Sequence, residues 1–144
     1  MEELLTLKEL LVCGDLPAAM VLVEEMTEMS KDDKINKIFS YSIILLVHLI
    51  KQKVENRSTR SWDLSIYNSI TQIRRANQRR KAKGTYLSKL ELSETLAEAY
   101  NIALSSAAME AFEGRCEADE LAKMCDREEV FAAAIKLIQE DSVD

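Results

Sequence analysis

The chain has 144 residues, 31% of them charged and 47% hydrophobic, with three Gly and one Pro. That composition excludes an all-β sandwich or barrel, whose many tight turns need more Gly, Pro and Asn, and it points to one mostly helical domain with a sizeable core. The net charge of −6 is unevenly spread, with nine acids and four bases in residues 1–50, two acids and eleven bases in 51–90, and fourteen acids and four bases in 91–144. A basic middle between acidic ends is either neutralised within the fold or kept as a face for an anionic partner.

In chain order, the spacing of Leu4, Leu7 and Leu11 predicts a first helix from Glu2 to about Val12, ended by Gly14. Asp15 has the chemistry to cap a second helix, with Pro17 in its first turn where a missing N–H is harmless. That helix is expected to run to about Met29, with Leu16, Ala19, Met20, Val23 and Met26 on one face and Glu24, Glu25 and Glu28 as an acidic stripe on another. Ser30 and Asp33 suggest a new cap opening the most apolar helix, about Lys31 to Val54. Its arc runs from Ile35 through Leu45, Leu46 and Ile50, with Ile44 and Val47 outside it.

Asn56 to Arg60 reads as a connection and Ser61 as the cap of a fourth helix to about Lys81, whose apolar stripe is Trp62, Ile66, Ile70 and Ile73. Lys83-Gly84-Thr85 is the clearest break, with Thr85 as a candidate cap for a fifth helix, about Tyr86 to Phe112. A short helix near Glu117–Met124 and a last one capped by Asp126 and Glu129 complete the chain. The expected fold is all-α: a bundle of about five main helices over residues 1–114, with a C-terminal helical hairpin over 115–144 packed on or near it.

The single histidine, His48, has a suitable pKa range for proton transfer, but no serine or cysteine motif pairs with it, and the structural role is the expectation. Glu24-Glu25-x-x-Glu28 resembles half of the Mg²⁺ site of all-α nucleotide pyrophosphohydrolases. The facing E-x-x-D is missing from the next helix, so the stripe is read as a solvated face, with these three residues only weak metal candidates. Arg74, Arg75, Arg79, Arg80, Lys81 and Lys83, with Lys51, Lys53, Arg57 and Arg60 before them, form the densest chemical signal, since guanidinium forks match phosphate and carboxylate geometry. Cys13, Cys116 and Cys125 fit no common zinc spacing and read as reduced thiols.

Three consecutive segments, Leu22–Lys31, Leu45–Lys51 and Ser58–Trp62, carry a resemblance to a bacterial family, especially common in cyanobacteria, known as domain of unknown function 29. They are similar to its Glu-Glu stretch, its L-L-x-H-L-L-K segment and its R-S-x-S-W segment. Ser30 stands where the family has glycine, Ser58 where it has arginine, and the tail after Gly114 departs from the family. The resemblance implies an all-α bundle in a bacterial cytoplasm, and it supplies no reaction, catalytic residue or cofactor. It marks Glu24, Glu25, His48, Ser61 and Trp62 as motif residues, for which a structural His–carboxylate–Trp cluster is expected.

The function expected from these features is a non-enzymatic protein-interaction module, homodimeric through the small residues Ala103, Ser105, Ser106, Ala107 and Ala108. Nucleic-acid binding through residues 74–83 and a metal-dependent nucleotide phosphohydrolase are the alternatives. The N-terminus is acidic and periodic where a secretory signal is basic and continuously apolar, and the run Ile43–Ile50 falls far short of the roughly 20 apolar residues that span a bilayer. A cytoplasmic protein without a membrane segment is expected.

Overall fold

The computed structural model describes residues 2–79 and 84–139. Among these it forms α1 (Glu2–Cys13), α2 (Leu16–Glu55), α3 (Arg60–Asn77), α4 (Lys89–Glu110), a 3₁₀ turn (Ala111–Gly114), α5 (Ala118–Met124) and α6 (Arg127–Gln139), with no strands. The all-α class follows. The chain divides into two compact units, one up to Lys34 and one from Ile35 onward.

In the first unit, Gly14 at φ +79° reverses the chain, letting Asp15 N–H donate to the Leu10 carbonyl at 2.9 Å. The Asp15 carboxylate then accepts from Ala18 N–H at 3.2 Å, as its capping chemistry predicts. Ala19 is buried, but no residue of α1 is.

The break expected at Ser30 is absent, and the predicted second and third helices are one, α2. Between Pro17 and Glu55 there is no glycine or proline to end a helix, and a serine is compatible with either a cap or an interior position. The cap of α3 is Thr59 rather than Ser61, its Oγ1 accepting from Trp62 N–H at 3.1 Å. The helix stops at Asn77, short of the predicted end. Likewise Ser88, not Thr85, caps α4, in a reciprocal box with Glu91.

The core of the second unit joins Ile38, Leu45, Leu46 and Ile50 of α2 to Ile66, Ile70 and Ile73 of α3 and Leu92, Leu96 and Tyr100 of α4. Val47, placed outside the apolar arc by periodicity, is also buried, so α2 is covered over a wider sector than its pattern predicts. The C-terminal helices complete this core through Leu121, Val130, Ala134 and Ile138, with α5 and α6 packing on α4 and α6 also on α3. Ala103, Ala107 and Ala108, predicted as a dimer face, are buried within the chain; their small size is used for internal packing.

Asn77 ties the end of α3 to the start of α4. Its side chain accepts from Leu87 N–H at 2.7 Å and donates to the Leu87 carbonyl at 3.3 Å, while its own carbonyl accepts from Tyr86 N–H at 2.9 Å. Asp126 caps α6, accepting from Glu128 N–H at 2.9 Å, but Glu129 does not reach back to close a box; it pairs with Lys53 at 2.6 Å. Among the described residues, no helix is long and apolar enough to cross a membrane.

Candidate functional site

The last turns of α2 carry Lys51 and Glu55, and the helix ends at Asn56 in the left-handed region, φ 52°. The connection to α3 is pinned by side chains: Gln52 Nε2 donates to Ser58 Oγ at 2.7 Å, and Ser58 Oγ donates to Asp63 Oδ1 at 2.6 Å. With Thr59 as cap, Trp62 is delivered in the first turn of α3 beside the end of α2. Its ring centre is 4.5 Å from Lys51 Nζ and 4.8 Å from the Arg57 guanidinium, within cation–π range of both. The Lys51 side chain is only 6% exposed, and its ammonium pairs with Glu110 Oε1 at 3.1 Å.

Glu110 is the last residue of α4, and the turn after it holds Phe112 at φ 51° and Glu113 at φ 60°. Phe112 N–H donates to Glu55 Oε2 at 3.4 Å, and Glu55 Oε1 accepts from Arg57 Nε at 3.1 Å. Beyond them Arg115 pairs with Glu113 at 3.4 Å. These groups border a cleft of about 480 Å³, lined by Glu55, Arg57, Trp62, Glu110, Phe112, Glu113 and Arg115. Among the described residues, the three non-glycine residues with positive φ are Asn56, Phe112 and Glu113, which end or border the segments forming this cleft. Left-handed backbone costs roughly 1–2 kcal/mol per such residue and tends to gather where a local arrangement is over-determined.

The lining offers carboxylates, guanidinium groups and an indole, and no thiol, hydroxyl or imidazole. Arg57 and Arg115 each have an internal carboxylate partner, as does Lys51 beside them. An incoming anion would have to displace a carboxylate, so the chemistry is that of a polar clamp joining α2, α3 and α4 and presenting a half-buried tryptophan.

The residues singled out from sequence separate. Glu24, Glu25 and Glu28 are exposed in the first unit, and among the described residues no group of three or more His, Cys, Asp or Glu side chains is arranged to hold a metal. Neighbouring carboxylates on one helix repel and extend into water unless something draws them together. His48 is half-buried, its Nδ1 2.9 Å from the Ile44 carbonyl, which accepts its hydrogen. The expected His–carboxylate–Trp cluster forms instead as Lys51–Glu110–Trp62, because Lys51 lies one turn nearer the end of α2, where Trp62 arrives. Ser61 is exposed.

Arg74 donates from Nε to the Ile138 carbonyl at 2.7 Å and from Nη2 to the Leu137 carbonyl at 2.6 Å, so it closes the C-terminal end of α6. Arg75 and Arg79 are exposed, with the Arg79 guanidinium 5.7 Å from the Tyr86 ring; Arg80 lies outside the described residues. Glu110 and Asn77 carry no sequence signal, and Lys51 and Arg57, which the sequence groups with the basic cluster, are paired here with internal carboxylates. Lys51 ended a motif segment, which was the available signal, but its partner is 59 positions away.

Tyr100 of α4 and Cys125, at the end of α5, form a buried polar pair. The Tyr100 hydroxyl donates to Cys125 Sγ at 3.9 Å, and burial, reinforced by Cys125, pushes the Tyr100 pKa up to about 12. Burial likewise raises the Cys125 thiol.

A protein-family model described as "Domain of unknown function DUF29" matches residues 19–130. Neither the curated proteins nor the solved structures give a match. The matched span contains Lys51, Trp62 and Glu110 and most of the helices that position them. The chain therefore belongs to the DUF29 family.

Proposed function

We propose that this member of the family is a non-enzymatic protein-interaction module whose contact surface lies on α1 and the first turns of α2. One observation carries the reading: α1 buries no residue, while Leu4, Leu5, Leu11, Val12, Leu16, Met20, Val21, Val23 and Met29 are between 39% and 80% exposed. A monomer rarely leaves so many large apolar side chains in water along one short segment unless they serve contact with another surface. The free thiols Cys13, Cys116 and Cys125 support a reducing, cytoplasmic setting.

Replacement of Leu11 and Val12 by Ser tests the assignment. A contact surface predicts equilibrium stability within about 0.5 kcal/mol of wild type, as for surface sites, together with reduced binding of a hydrophobic dye. A loss of about 2 kcal/mol or more would place these side chains in the chain's own core and overturn the reading.

A further inference from the structure

The outer face of α3 is a second unpartnered surface, and its chemistry complements that of the first. Arg60, Leu64, Tyr67, Asn68, Thr71 and Arg75 recur at helical spacing opposite the buried Ile66, Ile70 and Ile73, and all six are exposed, Leu64 by 66% and Tyr67 by 70%. No carboxylate lies on this stripe. Asp63, the acid of α3, is turned to Ser58 and Gln52. The stripe has the composition of an interface centre, an apolar and aromatic middle with an arginine at each end, about 22 Å apart along the helix.

The charge count indicates what would fit it. Residues 1–34 hold nine acids and three bases, and residues 35–144 hold sixteen of each, so the whole net charge of −6 resides in the first unit. That unit also carries exposed Leu16, Met20 and Val23 at i, i+4 and i+7, with Glu24 and Glu28 beside them, a segment of about 18 Å. Two arginines so far apart are sparse for a nucleic-acid backbone, where stable binding commonly neutralises six or more phosphates. An acidic apolar helix covers the exposed Leu64 and Tyr67 and sets Glu24 and Glu28, about 6 Å apart at its one end, against the arginine at one end of the stripe.

Building on the interaction-module reading, we propose that the α3 stripe receives the Leu16–Glu28 segment of a second copy of this chain, reciprocally, in a two-fold dimer. Each dimer would contain two identical contacts, as two-fold symmetry requires.

Light scattering between 1 and 100 µM tests this, with far-UV circular dichroism confirming helicity. Wild type is expected at twice the 16.4 kDa chain mass, shifting toward monomer as salt rises. Arg60→Glu/Arg75→Glu and Glu24→Lys/Glu28→Lys should each be monomeric alone, because each places like charges opposite one another. Mixed, they should form a heterodimer, in which both contacts again join opposite charges. A wild-type monomer at 100 µM, or dimers persisting in both variants alone, overturns the proposal. So does retardation of a DNA or RNA duplex by wild type that Arg60→Glu/Arg75→Glu abolishes, which would assign the stripe to nucleic acid. A monomeric wild type whose Leu11 and Val12 substitutions behave as surface changes overturns the self-association alone; destabilisation by those substitutions overturns the interaction-module reading as well.

Discussion

The ammonium of Lys51 lies 4.5 Å from the centre of the Trp62 ring, and the same nitrogen pairs with Glu110, so one buried lysine joins the end of α2 to the start of α3 and the end of α4. A lysine buried to this degree is retained only if its charge is compensated, here by a carboxylate and a π face. Lys51→Met keeps the apolar stem and removes the charge. It should lower unfolding free energy by about 1–3 kcal/mol, the range for losing a charged hydrogen bond while leaving its partner behind. Trp62→Ala should cost about 3 kcal/mol, the low end for a large aromatic, because the ring is only half-buried. Urea unfolding measures both; Lys51→Met within 0.5 kcal/mol of wild type would remove Lys51 from the clamp.

Two adjacent arginines should behave oppositely. Arg74→Ala leaves the Ile138 and Leu137 carbonyls without their guanidinium donor and should destabilise by about 1–3 kcal/mol, with faster hydrogen exchange in α6. Arg75→Ala, on the exposed face, should change stability by less than about 0.5 kcal/mol at chain concentrations low enough to keep the protein monomeric. Equal effects at the two positions would contradict this division.

High pH should expose the Tyr100–Cys125 pair. Tyr100 has its folded pKa raised to about 12 from an ordinary value of 10.0, so above pH 10 the unfolded chain loses a proton that the folded chain keeps. Its contribution to stability is therefore fully present below pH 10 and lost as pH rises from 10 toward 12. Absorbance titration should show one tyrosine ionising near 12 or only on unfolding, a step removed by Tyr100→Phe. In a thiol-reagent assay at neutral pH, exposed Cys13 should react first, and buried Cys125, whose thiol is held protonated by burial, last.

The left-handed turn after α4 offers a stabilising substitution. Glu113→Gly relieves the backbone cost at φ 60° and should raise stability by up to about 1 kcal/mol, its exposed pairing with Arg115 contributing little. Gly114→Ala should do the reverse, since φ is +77° and a Cβ would stand 3.0 Å from the Met109 carbonyl oxygen. Thermal melts would register both signs.

What could be read from the sequence was what local pattern determines. Gly14 and Asp15 mark the α1–α2 turn, and the 3.6-residue period of Ile66, Ile70 and Ile73 marks the buried face of α3. Ser30 misled because a serine has the same local chemistry at a cap and within a helix; only the absence of a glycine or proline favoured continuity. The sequence marks Trp62 but points to His48 as its partner, where the structure has Lys51. The pairing depends on where α2 ends and on Glu110, and no local rule encodes a contact across 59 positions. The arginine cluster reads as one face in sequence because its members are neighbours, yet in space Arg74 is committed to α6.

Hydrogen exchange in α1 and the first turns of α2 at two protein concentrations tests most directly whether the first unit is a contact surface. At nanomolar chain, amides of Leu5–Val12 should exchange far faster than those of Leu96–Ala107 in the core helix α4, and at 100 µM those of Leu16–Glu28 should slow while α4 is unchanged. If α1 is as protected as α4 at nanomolar concentration, its apolar side chains are already covered by the chain itself, contrary to the surface role assigned to them.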